Sequence, residues 1–131
     1  MSKTNFTDNA DTYAAALLSL FRGKLEDTES DLEKLFTPDF TIRDTRNDGL
    51  GKVRDYAAWV EHVKMLRTLD LGIVDFKIVQ FLRDGSQLAE RHTAQGKGPE
   101  GKVVRTETLQ FAEIAEDGRI KFIVETVSVF E

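Results

Sequence analysis

The first residue with a chemical role to consider is a carboxylate at the end of a short predicted strand. Residues 35–44 read LFTPDFTIRD, a segment that should close a helix, turn and then enter a strand. Phe40, Ile42 and Asp44 alternate along that strand, so their side chains point to one face. If the two apolar residues mark the buried face, Asp44 points into the protein, where a carboxylate needs a partner or a function. There it could act as a general base that takes a proton from carbon or from water.

A second group that could move protons is His92, in the middle of a later predicted strand. If His92 and Asp44 face the same cavity, they form an imidazole base that a carboxylate orients. The register of the strand decides the matter. A strict two-residue turn at Asp84–Gly85 pairs Arg91 with apolar Ile78, which turns Arg91 inward and His92 outward. On the outward face, His92 would be a surface or dimer-face residue.

Asp44 also has a purely structural interpretation, and for the second histidine, His62, a structural interpretation is the only one. Asp44 precedes Asn47–Asp48–Gly49, a turn-forming sequence whose backbone amides could bind its carboxylate. His62 lies off the centre of the apolar stripe of the third predicted helix, so we expect it to be solvated. The residues alone leave both interpretations of Asp44 open.

Composition limits the kinds of site that the chain can build. Its 131 residues include no cysteine and two histidines, which excludes disulfides, thiolate nucleophiles, cysteine-based zinc sites and a three-histidine metal site. No phosphate-binding motif is present, and we predict neither a metal nor a cofactor. A net charge of −5 argues against nucleic acid or an anionic membrane as a partner. The polar first residues and the lack of a long apolar run favour a cytoplasmic protein with no membrane contact.

Periodicity predicts a single domain over residues 1–131 whose first half is helical. Gly23 stops the first helix, and Thr28 or Ser30 caps the second. The three predicted helices span 11–22, 28–34 and a segment that begins after Gly51. The apolar stripe of the third consists of Val53, Tyr56, Trp59, Val60, Val63 and Leu66. Because Arg67 falls on the same stripe, the third helix should end there.

From residue 71 onward the pattern changes to strands separated by turns. The short strand that ends at Asp44, entered through a turn at Pro38–Asp39, should join one edge of the sheet. Helices followed by an antiparallel meander predict an α+β fold, in which a curved antiparallel sheet wraps around the N-terminal helices. The four long strands are predicted at about 73–83, 87–95, 102–114 and 119–130.

This order of elements, together with several local motifs, resembles the nuclear transport factor 2-like superfamily and its SnoaL-like branch over nearly the whole chain. The motifs are LFTPDFTIRD at 35–44, the glycine at 51 before a helix, Asp84–Gly85, GPEGK at 98–102 and DGRI at 117–120. The resemblance implies a half-open, cystatin-like cone around an apolar cavity, and pairing of two copies through the outer sheet face. The superfamily includes isomerases, dehydratases, cyclases, hydrolases and binding proteins, so the fold implies no single reaction.

The resemblance supplies a precedent for Asp44 as a general base, but the partner residues of that precedent are missing from this sequence. Asp44 lies where ketosteroid isomerases of the superfamily carry their general base. Their oxyanion hole needs a tyrosine from the first helix and an acid on the third long strand. Here Tyr13 comes about one turn too early, and Leu109 replaces the acid. Dehydratases of the superfamily use a histidine–aspartate arrangement, and the resemblance turns His92 towards the cavity.

The resemblance also implies which side chains line the cavity. Ile123, Glu125 and Val127 would face it from the last strand, with Glu125 as a buried acid and Arg105 as its partner. A surface ion pair of the same two residues, worth about 0.2–1 kcal/mol, is the structural interpretation. The predicted proton-transfer residues are Asp44, His92 and Glu125, and the predicted substrate contacts are Phe40, Tyr56, Trp59, Arg105, Glu107, Leu109, Ile123 and Val127.

Three functions remain compatible with the sequence. The first is cofactor-free cyclase, isomerase or dehydratase chemistry on a small, largely apolar organic molecule, with Asp44 as base and His92 or Glu125 as proton partner. The second is a binding module with the same pocket and no chemistry. The third is an interaction protein that pairs through its sheet. The last strand is apolar on both faces, which favours a homodimer in all three cases.

Overall fold

A computed structural model describes residues 4–45 and 52–130, apart from the side chains of Lys52 and Pro99. Over these ranges the chain forms three α-helices and six strands. The helices are α1 (Ala10–Arg22), α2 (Thr28–Leu35) and α3 (Tyr56–Thr68). The strands are β1 (Phe36–Asp44), β2 (Lys52–Arg54), β3 (Val74–Asp84), β4 (Gln87–Lys97), β5 (Val103–Ile114) and β6 (Ile120–Phe130).

The six strands form one curved, unclosed sheet in the order β2-β1-β6-β5-β4-β3. Neighbours from β3 to β6 are antiparallel, and β1 joins β6 in the parallel direction. The predicted meander and the α+β fold are therefore confirmed. β1 joins the meander at its β6 edge, as predicted, and the sheet is extended by the unpredicted β2, whose residues 52–54 pair with residues 42–44. These residues were expected to belong to the third helix, which begins only at Tyr56, after an N-cap at Asp55.

The helices cover one face of the sheet, which we call the inner face, and the core lies between the two layers. α1 and α3 contribute apolar side chains from one side each, and the strands contribute alternate residues. The largest fully buried apolar side chains are Tyr13, Leu32, Phe36, Phe40, Val63, Leu88, Ile120 and Ile123. Among the described residues, no helix has the length and apolarity that a membrane crossing requires.

β1 starts directly after α2, so the predicted turn at Pro38–Asp39 lies inside the strand. The pairing of β1 with β6 shifts register between Phe36 and Thr41, and this irregularity accommodates the proline. Thr37 donates a hydrogen bond of 2.6 Å to Asp39, which lowers the pKa of that carboxyl. Beyond the irregularity, Phe40 and Ile42 are buried as the alternation predicted.

α3 continues through Arg67, where the sequence predicted its end. The guanidinium is fully buried and donates hydrogen bonds to the C-terminal end of α1. Because these polar partners surround it, the charge can lie on the apolar stripe and the helix does not end there. The predicted cap of α2 is also wrong. The N-cap residue is Asp27, which makes no side-chain cap, and the Thr28 hydroxyl donates to the Leu25 carbonyl at 2.7 Å. A 3₁₀ turn before α2 places that carbonyl within reach.

Candidate functional site

A cavity of about 350 Å³ lies between the inner face of the sheet and the helices. Ligand pockets span roughly 300–1,000 Å³, so the space suits a small organic molecule. Apolar side chains form much of the wall, among them Leu17, Leu20, Phe21, Phe36, Ile42, Trp59, Leu66, Ile123 and Val127. The polar side chains in the wall are Asp44, Arg54, His62, His92, Lys97, Thr106, Thr108, Gln110 and Glu125.

A row of polar side chains crosses the inner face over four neighbouring strands. Asp44 on β1 is the register partner of Glu125 on β6. Glu125 is opposite Gln110 on β5, which is opposite Glu90 on β4. Because paired residues on adjacent strands share a face, three carboxylates and one amide follow each other across the sheet. No local motif reveals this row, since each member comes from a different strand.

Gln110 is held in one orientation between two partners. The Tyr13 hydroxyl donates to Gln110 Oε1, and Gln110 Nε2 donates to Glu125 Oε1 at 2.9 Å. Burial raises the pKa of Tyr13 well above its ordinary value, and the nearby Glu90 and Glu125 raise it further. Tyr13 therefore stays a neutral donor behind the cavity wall and positions the amide that binds Glu125. It does not line the cavity.

His92 is held by a buried carboxylate that the sequence analysis did not single out. Its Nδ1 lies 2.8 and 3.0 Å from the two oxygens of Glu90, whose side chain is fully buried. An ionised carboxylate only accepts hydrogen bonds, so an ionised Glu90 requires a hydrogen on Nδ1 and leaves Nε2 outside this contact. Phe76 stacks on the ring with a centroid distance of 4.6 Å. Glu90 and His92 are two residues apart in one strand, so their side chains share a face, and this spacing could have revealed the pair.

The strict-turn prediction for His92 is wrong, and the side that the resemblance implied is the one observed. The two-residue turn consists of Gly85–Ser86, one residue later than predicted, since Asp84 pairs with Gln87. The pairing then shifts between Ile78 and Gln80, so Ile78 pairs with His92 instead of Arg91. This irregularity lets β3 change the face of its apolar residues while β4 keeps His92 inward.

Three predicted substrate contacts lie on the opposite, outer face of the sheet. Arg105, Glu107 and Leu109 alternate with the inward Thr106, Thr108 and Gln110, so they cannot line the cavity. Glu107 instead accepts a hydrogen bond of 2.8 Å from Arg91. Arg105 is opposite Phe130 and not Glu125, whose described partner is Gln110. The residues of β6 that the resemblance placed in the cavity do line it, whereas the three contacts predicted on β5 do not.

Helix α3 presents Trp59, His62 and Leu66 to the cavity. The prediction that His62 is solvated is wrong, because it is half-buried and stacks on Trp59 at 5.7 Å and 23°. The predicted stripe included Val53, which set its centre away from His62. Val53 belongs instead to β2 and is exposed. Without Val53 the stripe turns towards His62.

Two other predicted contacts lie outside the cavity wall. Tyr56 is half-buried on another side of α3, and Phe40 is fully buried behind the wall, where it packs on Phe36 at 4.4 Å. The remaining predicted contacts, Trp59, Ile123 and Val127, do line the cavity, together with the three predicted proton-transfer residues. Their roles remain predictions.

Asp44 is half-buried at the end of β1 and lines the cavity. The turn at Asn47–Asp48–Gly49, which gave its structural interpretation, lies outside the described residues, as does Gly51. Within the described ranges, no group of three or more His, Asp or Glu side chains could hold a metal ion. The cavity wall brings together Asp44, His92 and Glu125, whose side-chain types can transfer protons.

Comparison with known proteins places this architecture in a family. The sequence profile of the SnoaL-like domain matches residues 15–123, most of the chain. The chain belongs to the SnoaL-like family. Among curated proteins, none matches this SnoaL-like protein in sequence.

Solved structures with the same fold cover nearly all of this SnoaL-like protein. A polyketide cyclase candidate from Acidithiobacillus ferrooxidans has a TM-score of 0.66 at 17% identity, covering 98% of this chain and 92% of its own. IdmH, a polyketide cyclase candidate from Streptomyces antibioticus, has a TM-score of 0.59 at 19% identity, with 88% and 89% covered. SalBIII, an epoxide hydrolase/cyclase-like enzyme in pyran ring formation of salinomycin, has a TM-score of 0.62 at 21% identity, with 88% and 94% covered. At these identities the likeness shows the fold alone.

Proposed function

We propose that this SnoaL-like protein is a cofactor-free acid–base catalyst of the cyclase, isomerase or dehydratase kind that acts on a small, largely apolar organic molecule. The observation that carries the proposal is the His92–Glu90 pair beside a cavity that also contains Asp44 and Glu125. A histidine whose tautomer is set by a buried carboxylate is the arrangement that general acid–base catalysis uses. The neighbours described as cyclases or cyclase-like are consistent with this class.

The proposed mechanism divides proton transfer between two groups. Asp44 accepts a proton from a carbon or hydroxyl of the substrate, and the Nε2–H of protonated His92 donates a proton to an oxygen elsewhere on it. Glu90 stabilises the imidazolium through the contact of its carboxylate with Nδ1. Gln110 fixes Glu125 beside Asp44, and the apolar wall keeps bulk water from the reacting atoms. No net oxidation or reduction takes place.

Ligand screening followed by turnover assays tests this proposal. Apolar cyclic ketones, epoxides and hydroxyketones are screened by thermal shift, and those that bind are incubated and analysed by mass spectrometry and NMR for isomerised, cyclised or dehydrated products. Asp44→Asn and His92→Asn should bind but turn over about 10²–10⁴-fold more slowly. Asparagine at 92 keeps an N–H near the position of Nδ1 for Glu90 and lacks Nε2, so it separates chemistry from folding.

The control is Glu113→Gln, which neutralises an exposed carboxylate on the outer face of β5 and should turn over like the wild type. Ligands that bind to the wild type without any conversion would contradict catalysis and favour the binding module. Equal turnover by His92→Asn and the wild type would contradict the role of the His92–Glu90 pair.

We also propose that two copies pair through the outer face of the sheet. That face exposes Leu82, Leu109 and Phe111 with fractional exposures of 72%, 49% and 42%, around a shallow groove. The Arg91–Glu107 pair lies in the same surface and supplies both charge signs side by side. A two-fold interface must be complementary to itself, and a surface with both signs and exposed apolar side chains meets that requirement.

Leu109→Glu should convert the dimer to a monomer at micromolar concentration, because it places a charge within the apolar patch. Light scattering coupled to size exclusion measures the mass. Leu69→Glu is the matched control, since Leu69 is equally exposed at 49% but follows α3, away from the sheet face. A wild-type protein that is monomeric at 100 micromolar, or a Leu109→Glu variant that stays dimeric, would contradict this interface.

A further inference from the structure

One arginine in the cavity wall has no countercharge within the part of the chain that the structure describes. Arg54 on β2 is half-buried, lines the cavity and makes no hydrogen bond or ion pair with another described residue. An arginine does not lose its charge in proteins, and moving that charge out of water is costly unless other groups replace the water. Its place in a cavity wall suggests that the counterpart belongs to a ligand.

The other cationic side chains near the cavity and in the half-buried layer have partners. Each of the other arginines that the structure describes as half-buried donates at least one hydrogen bond to a carbonyl or a carboxylate; they are Arg67, Arg83, Arg91 and Arg119. Lys97, the lysine of the cavity wall, is exposed and pairs with Asp70 at 3.0 Å. The carboxylate of Asp55, adjacent to Arg54, accepts a hydrogen bond of 2.9 Å from the Ala58 N–H and caps α3.

Arg54 lies on the inner face, close to the proposed base. Its register partner on β1 is Ile42, which also lines the cavity, and Asp44 follows two residues further along β1. Two residues of a strand cover about 6.6 Å. A ligand group that is bound to Arg54 therefore holds the neighbouring atoms of the ligand beside Asp44, within reach of proton transfer.

We propose that Arg54 binds a carboxylate of the ligand, so that the substrate class is a largely apolar monocarboxylic acid. The inference rests on the proposed function, since it concerns the same cavity and narrows its substrate class. A planar guanidinium can donate two parallel hydrogen bonds to one carboxylate, a stronger and more directional contact than one with a neutral oxygen. Asp44 and Glu125 in the same wall repel a dianion more strongly than a monoanion, which disfavours a phosphate monoester.

Two probes of the same shape test the recognition of a carboxylate. 2-Naphthoate and 2-naphthamide share a bicyclic skeleton and differ in charge at pH 7. We expect the full-length protein to bind 2-naphthoate at least about tenfold more tightly than 2-naphthamide in calorimetry at low salt, the equivalent of a hydrogen bond to a charged group. In a ¹⁵N-labelled sample, the Nε–H resonance that Arg54→Lys removes should shift with 2-naphthoate and not with 2-naphthamide.

Arg54→Met removes the guanidinium and keeps an unbranched side chain. This variant should bind 2-naphthamide within about threefold of the wild type and lose the preference for 2-naphthoate. Arg54→Lys keeps the charge without the planar fork and should retain part of the preference. It also keeps the test decisive if Arg54→Met does not fold, as does the wild-type resonance.

The matched control is Arg43→Met. It removes the same charge from an exposed side chain that precedes Asp44 on β1 and alternates with the inward Ile42, so it lies on the outer face. The preference for 2-naphthoate should survive this change. Its loss in Arg43→Met to the same extent as in Arg54→Met would mean that net charge, and not a contact with Arg54, attracts the anion, and would overturn the proposal.

Equal affinities of the wild type for the two probes, or no binding of 2-naphthoate up to its solubility limit, would also overturn it. So would a preference that survives Arg54→Met and disappears in Lys97→Met, or tighter binding of 2-naphthyl phosphate than of 2-naphthoate. A failure of catalysis is distinguishable, since acids whose binding depends on Arg54 are then recovered unconverted. Conversely, turnover that depends on His92 together with equal affinities for the two probes would remove the carboxylate recognition alone.

Discussion

Replacing Arg67 with methionine is expected to lower the free energy of unfolding by about 3–5 kcal/mol, the loss typical of breaking a buried charged network. Methionine keeps the apolar stem but leaves the acceptors of the guanidinium without their donor, two of them in the buried residues Leu20 and Thr28. The guanidinium donates four hydrogen bonds of 2.9–3.2 Å, and its Nη2 also lies 3.0 Å from an oxygen of the Asp31 carboxylate. The four acceptors are the Ser19, Leu20 and Lys24 carbonyls and the Thr28 hydroxyl. Urea unfolding at 25 °C, followed by far-UV circular dichroism, measures the change.

Arg22→Met is the matched control, since that exposed arginine at the end of α1 donates one hydrogen bond, to the Ile73 carbonyl. Its loss should cost less than about 1 kcal/mol. Gly23 provides a second check, because a Cβ there would lie 2.2 Å from Nη2 of Arg67. Gly23→Ala should destabilise the wild type more than the Arg67→Met variant. Equal losses for the two arginine variants, or additive effects of Gly23→Ala and Arg67→Met, would contradict this account.

The second large effect is expected from the buried pair on β4. His92→Phe should lower the free energy of unfolding by about 3–5 kcal/mol at pH 7, because Glu90 then loses its described partner while its side chain stays fully buried. His92→Asn, which still offers an N–H to the carboxylate, should lose less than half as much. Thermal and urea unfolding of the two variants, compared at equal protein concentration, measure the difference.

A double-mutant cycle separates the pair from the packing of the imidazole. In a Glu90→Gln background the side-chain amide carries no charge and needs no charged partner. His92→Phe should therefore lower the free energy of unfolding by at least about 1.5 kcal/mol less than it does in the wild type. A coupling energy near zero would mean that Glu90 reaches water or another donor in the variant. It would also weaken the proposal that Glu90 orients His92 during proton transfer.

Much of the fold follows from local rules that act within one segment. The limits of α1 and of the four long strands lie within two residues of those that periodicity predicted, and the inward alternation of Phe40, Ile42 and Asp44 is the predicted one. Helix and strand periods depend on bonds between near neighbours in the chain, so they can be inferred without knowledge of the remaining structure. The errors in these elements fall where two segments meet, as at β2, which pairs with β1.

The candidate site was predicted in part, and its errors have a common cause. Asp44, His92 and Glu125 do line one cavity, but Glu90 was missed and His62 was discounted. Arg105, Glu107 and Leu109 lie on the outer face, because Thr108 and Gln110 are the residues of β5 that pair with the inward Val127 and Glu125 of β6. A shift of one residue exchanges the two faces of a strand, so an error in one turn or one irregularity changes every side chain beyond it.

The sequence by itself determined the residue types, the alternation within most strands and the order of the three helices and the four long strands. Those features were sufficient to predict a curved sheet on helices and an inward carboxylate at Asp44. The tertiary structure alone decided that Asp44, Glu125, Gln110 and Glu90 form one row, and that His92 faces the cavity. The physical reason is that these neighbours are brought together by hydrogen bonds between strands far apart in the chain. The register of such pairing depends on turns and irregularities that local periodicity does not encode.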